Sequence, residues 1–140
     1  MTALSTLQKP PGAGIIVVKY FSSGFKVLGL FDQEKGVFDL PKGAIDFEES
    51  TFQAALRETE EECGITNLNF RWGTEPIAVV SYLTFFLAET DEDPAVTENP
   101  HTGILEHLFA EWMEWDELEI ALIDYLVPAL REAQTIVENG

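Results

Sequence analysis

The stretch Gly43–Ile65, GAIDFEESTFQAALRETEEECGI, decides how this chain reads. Ser50, with Gln53 three residues later, makes a capping-box pattern and predicts a helix start. Phe52, Ala55, Leu56, Thr59 and Cys63 recur at helical spacing and form one stripe, and Gly64 supplies the stop. The opposite face carries Arg57, Glu58, Glu61 and Glu62. Glu58 and Glu62 are four residues apart, which sets their carboxylates roughly 6 Å apart along that face. Glu61 lies on its adjoining edge. Three crowded acids repel one another, and they sit toward the helix C-terminus, the wrong end for the macrodipole. Helix stability does not ask for this arrangement, and a divalent cation would resolve it. Hard oxygen donors suit Mg²⁺ or Mn²⁺ better than zinc. Taken alone, the same face also reads as solvated surface, with Arg57 and Glu61 an ordinary i,i+4 pair.

Outward from this helix, the chain alternates strand and loop signals. Gly14–Phe21 and Phe25–Phe31 read as the two strands of a hairpin about Ser22-Ser23-Gly24. Val37–Leu40 is a short strand stopped by Pro41, and residues 42–49 read as an irregular loop. Leu68–Trp72 and Pro76–Ala88 follow, the latter as one long strand pattern. Residues 91–103, rich in acids and proline, read as a mobile loop: a lid or a tolerated insertion. Leu108–Trp115 alternates as a final strand, Asp116 is the expected cap of a short helix, and Asp124–Val137 is a terminal helix. No repeat or second-domain boundary is visible. The expected architecture is one α+β domain over residues 1–140, with residues 1–11 a loose lead-in.

Composition bounds the function. The 140 residues carry 8 Lys+Arg against 25 Asp+Glu, a formal net charge of −17, so long-range attraction to nucleic acid or anionic membrane is excluded. With 46% hydrophobic residues, the chain can bury a core. A single cysteine, Cys63, excludes a disulfide framework and a Cys-rich zinc site. No apolar run is long enough to span a membrane, and residues 1–11 lack a signal-peptide pattern, so a cytoplasmic protein is expected. No EF-hand loop is present to support calcium buffering.

Gly43, Glu49, Arg57, Glu58, Glu61, Glu62, Gly64 and Ile65 together resemble the signature of the Nudix hydrolases. Thr59 is the one departure, standing where an aliphatic residue is usual; its methyl can still pack inward. The order of elements also resembles the Nudix α/β/α sandwich with a mixed central sheet. The resemblance implies a pyrophosphohydrolase in which Glu58 and Glu62 are the principal ligands of Mg²⁺, or of Mn²⁺. It makes Glu61 a further ligand or the general base, and brings the Gly43 carbonyl into the metal shell. Glu49 and Arg57 would form a salt bridge, with Glu49 also near a metal. Leu40-Pro41-Lys42-Gly43, and Glu106-His107 ahead of the last strand, resemble the asymmetric diadenosine tetraphosphate hydrolases. On that resemblance Lys42 is a candidate phosphate contact, and Glu106 or His107 a candidate base or phosphate contact. Alternation puts Tyr82 and Phe86 on one face, where a purine could stack. Each of these residues also has a plain structural reading. The expected substrate is a nucleotide polyphosphate, cleaved from diadenosine tetraphosphate to ATP and AMP. Alternatives are a housecleaning nucleoside triphosphate or nucleotide-sugar pyrophosphatase, and a non-catalytic nucleotide-sensing module. Few basic residues argue against diphosphoinositol polyphosphates, and the acidic charge against RNA ends. A monomer or homodimer is expected.

Overall fold

A computed structural model describes residues 10–140. Apart from Pro10 and Pro11, the expected lead-in lies outside the described residues.

The sheet is built from β1 (Gly12–Phe21), β2 (Gly24–Asp32), β3 (Val37–Asp39), β4 (Lys42–Ala44), β5 (Ala78–Val80), β6 (Leu83–Glu89) and β7 (Phe109–Met113). Its order is β3-β2-β1-β6-β5, with β4 on β1 and β7 on β2. β1 runs parallel to β6 and antiparallel to β2 and β4, so the sheet is mixed. The helices are α1 (Thr51–Cys63), α2 (Trp115–Ala121) and α3 (Val127–Asn139), with a 3₁₀ turn at Asp124–Leu126.

Because alternate strand residues point to opposite faces, one buried strand feeds two cores. On one face Ala13, Ile15 and Val17 of β1 pack with Ala54, Ala55 and Cys63 of α1. On the other, Ile16 and Val18 pack with Leu118 of α2 and Leu130 and Ala133 of α3. The result is the expected α/β/α sandwich.

Helix α1 has the boundaries its sequence dictates. The Ser50 side chain accepts from the Gln53 amide, and Gln53 returns a bond to the Ser50 amide. Gly64 closes the helix at φ 74°, a left-handed cap that glycine adopts without strain. Thr59 is fully buried, and its hydroxyl donates to the Ala55 carbonyl at 2.8 Å, which satisfies the polar atom its departure introduces.

Four expectations need correction. Residues 42–44 are a strand, because Lys42, Gly43 and Ala44 find a free segment of β1 at Gly14, Ala13 and Gly12. The run 76–88 folds back on itself at Ser81-Tyr82, Ser81 at φ 55°, to give the β5–β6 hairpin. Residues 68–72 form no strand; only Asn69 pairs, with Glu89. Helix α2 is capped at Glu114, whose amide donates to Glu117, while Asp116 lies in its first turn.

Candidate active site

The acid face of α1 looks onto the segment that precedes it. The Arg57 guanidinium organises both. Its Nε donates to Glu49 Oε2 at 2.7 Å and an Nη to Glu49 Oε1 at 3.0 Å, a bidentate pair. Further donors reach Glu58 at 2.8 Å, Glu61 at 3.0 Å and the Ala44 carbonyl at 2.9 Å. One cation therefore ties β4 and its following loop to the helix. Hydrogen bonding to Glu49, and then to Glu61 and Glu58, raises the Arg57 pKa despite partial burial. Both Glu49 oxygens are engaged, and Oε1 also accepts the Asp46 amide at 2.9 Å. This geometry makes Glu49 a tether, with two donors on Oε1 and one on Oε2. In the same loop Glu48 stands at φ 64°, a left-handed conformation that costs a non-glycine residue about 1–2 kcal/mol.

Glu58 and Glu62 are in a different situation. A Cβ added at Gly43 would collide with the Glu58 carboxylate, so only glycine lets the acid lie against this backbone. Burial raises the Glu58 pKa; Arg57 opposes that, while Glu61 and Glu106 reinforce it. Glu62 is more deeply enclosed. Burial pushes its pKa well up, although its Oε1 accepts the Lys42 amide at 3.0 Å and the Lys42 charge helps.

The donor chemistry suits a small hard cation: carboxylates packed against a glycine backbone, one of them desolvated. Among the described residues, no group of three or more acid, histidine or cysteine side chains is arranged to hold a metal ion. Glu58 and Glu61 are instead turned toward Arg57.

The segment 91–103 is irregular, as expected, and it is tied to the helix end. The Thr97 hydroxyl donates to the Glu61 carbonyl at 2.7 Å and the Ala95 amide to the Cys63 carbonyl at 2.9 Å, filling acceptors that a helix C-terminus leaves open. Thr97 and Asn99 thereby wall a small cleft that also brings Glu106 and His107 to Glu58, Glu61 and Glu62. Sequence reasoning grouped the three box acids but had no signal for Thr97, Asn99 or Asp39.

The proposed substrate contacts divide. Lys42 is mostly buried and its Nζ lies 3.0 Å from Asp39 Oδ2. His107 is 6% exposed and its Nε2 lies 3.4 Å from the same oxygen. Phe86 is 3% exposed and packs edge-on against Phe52 beneath α1, which removes it from any open surface. Tyr82 does not share its face. The turn at Ser81 takes Tyr82 out of the strand alternation, and it packs with the Phe85 core on the α3 side.

The NUDIX domain family matches residues 10–133. No curated protein matches the chain in sequence. Among solved structures, a C. elegans Ap4A hydrolase binary complex superposes with a TM-score of 0.73 at 20% identity, covering 94% of this chain and 100% of that one. A Listeria monocytogenes NUDIX hydrolase gives 0.73 at 19%, covering 94% and 96%. The E. coli dihydroneopterin triphosphate pyrophosphohydrolase gives 0.66 at 16%, covering 95% and 98%. With the box acids Glu58, Glu61 and Glu62 assembled on one helix and the match running over nearly the whole described chain, the protein belongs to the NUDIX domain family, the Nudix pyrophosphohydrolases.

Proposed function

We propose that the protein hydrolyses a phosphoanhydride bond in a nucleoside diphosphate-linked substrate, with diadenosine tetraphosphate, cleaved to ATP and AMP, as the preferred one. One observation carries the reading: Glu58 against Gly43 and the desolvated Glu62 form an anionic pocket that nothing in the fold's stability requires. Glu58, Glu62, Glu61 and the Gly43 carbonyl are the groups that would hold Mg²⁺ or Mn²⁺. When bound, such an ion neutralises phosphoryl oxygens and lowers the pKa of a coordinated water. The chain's own residues do the rest. Arg57 holds Glu58 and Glu61 in register with the loop. A carboxylate, Glu61 or the exposed Glu106, accepts the proton of the attacking water. Glu106 also borders an open groove of about 710 Å³ between residues 32–35 and 104–108, which gives room for a long polyphosphate. Lys35 lines that groove and has no acid within salt-bridge distance among the described residues, whereas Lys19, Lys26, Lys42 and Arg71 are paired. Lys35 is therefore the cation best placed for distal phosphates. The chain is expected to work as a monomer or homodimer in the cytoplasm.

The similarity to the E. coli dihydroneopterin triphosphate pyrophosphohydrolase keeps a second reading in view, cleavage within a triphosphate chain. A substrate panel in Mg²⁺ and in Mn²⁺ with product analysis separates the two. ATP plus AMP from diadenosine tetraphosphate is the expected result. Turnover confined to triphosphates or nucleotide sugars would favour the housecleaning reading, and binding without turnover the sensing one.

A further inference from the structure

Asp39 ends β3, and nothing in the Nudix signature refers to it. It is nevertheless a buried meeting point. Its Oδ1 accepts the Leu40 amide at 2.8 Å. Its Oδ2 faces both the Lys42 ammonium at 3.0 Å and His107 Nε2 at 3.4 Å. Burial alone would push the Asp39 pKa up; the hydrogen bond from His107 and the charge of Lys42 outweigh it and hold the pKa below the usual carboxylate value. An ionised carboxylate only accepts hydrogen bonds, so Nε2 of His107 carries the ring proton that points at it. One oxygen thus joins three segments that line or support the cleft: the β3 end, the start of β4, and the residue two before β7.

The ammonium is the reason this matters. Lys42 is close enough to Glu62 to act on its charge, and its own amide is bonded to that acid. A buried ammonium without Asp39 has to find another anion, and Glu62 is the neighbour at hand. An ammonium seated on Glu62 competes with any cation for the same oxygens.

We propose that Asp39 is a positioning residue that captures the Lys42 ammonium, together with His107, and so keeps Glu62 free for a divalent ion. The inference rests on the metal-dependent reading above, and the test separates the two.

The measurement is calorimetric titration of Mn²⁺ alone into wild type, D39N and D39N/K42M, each first checked for folding by circular dichroism. An ammonium released onto Glu62 would occupy oxygens the ion needs, and disturbance of the groups around a metal ligand weakens binding about 10-fold or more, which is expected for D39N. Removing the stranded charge in D39N/K42M is expected to restore affinity to within about twofold of wild type, since the two changes act on one interaction. Equal affinities for wild type and D39N, or a double variant as weak as D39N, overturn the proposal. A wild type that takes up no Mn²⁺ overturns the metal-dependent reading instead. Should D39N fail to fold, a crystal structure of the wild type with Mn²⁺ decides: Lys42 Nζ is expected within hydrogen-bond distance of Asp39, and an ammonium on Glu62 overturns the proposal.

Discussion

Helix α1 has two faces with opposite physical logic. One, through Ala54, Ala55, Thr59 and Cys63, is fully buried against β1 and β6 and has every polar atom satisfied within the helix. The other gathers Glu58 and Glu61 around one arginine and sets Glu62 on the Lys42 amide, with Glu58 and Glu62 desolvated enough for their pKa values to rise. The first face is what a stable sandwich needs. The second opposes stability, because buried like charges repel and desolvation penalises each of them. A segment so divided shows where folding requirements end and functional ones begin.

Substitutions on the two faces should therefore separate activity from stability. The largest effect is expected from Glu62→Gln or Glu58→Gln. Turnover should fall about 1,000-fold or more, roughly 4 kcal/mol of lost transition-state stabilisation. The melting temperature should hold or rise, since a buried negative charge is gone. Steady-state kinetics beside thermal unfolding checks both halves, and near wild-type rates in either variant would break the comparison.

The mirror experiment is Ala55→Leu on the buried face. Ala55 is fully enclosed, and overpacking there should cost about 1–3 kcal/mol in urea unfolding. Turnover per folded molecule should change little. A loss of turnover as deep as that of Glu62→Gln would mean that the faces are not separable.

Arg57→Lys sits at the border. A single ammonium cannot reproduce the fork on Glu49 together with the contacts to Glu58, Glu61 and the Ala44 carbonyl. Activity should drop about 10-fold and stability by about 1 kcal/mol, as expected when charge-assisted hydrogen bonds are lost. The smallest effect belongs to Thr59→Val, which keeps the shape and removes a hydroxyl that bonds only to its own helix. Unfolding free energy should stay within about 0.5 kcal/mol and rates should be unchanged.

The same division explains what could be read from sequence. Helix α1 was legible because its caps are local: Ser50, Gln53 and Gly64 act on neighbours within a turn. The box acids were legible because helical spacing alone sets their face. The break at Ser81 was not, since PIAVVSYLTFFLA contains no glycine and no internal proline to mark a turn, and misreading it also put Tyr82 on the wrong side. Phe86 looked available because alternation reports a face and not what covers it; α1, through Phe52, covers it. Asp39 and His107 are 68 residues apart, so their meeting depends on β2 pairing with both β3 and β7. Local pattern does not encode that.

The central claim is that the acid face of α1 exists to hold a divalent ion for phosphoanhydride cleavage. Crystals of the wild type grown with Mn²⁺ and measured for anomalous scattering test it most directly. A peak bounded by the Gly43 carbonyl, Glu58 and Glu62 is predicted, and it should vanish in Glu62→Gln. A map without a peak there, from a preparation that still cleaves nucleotide, would contradict the account.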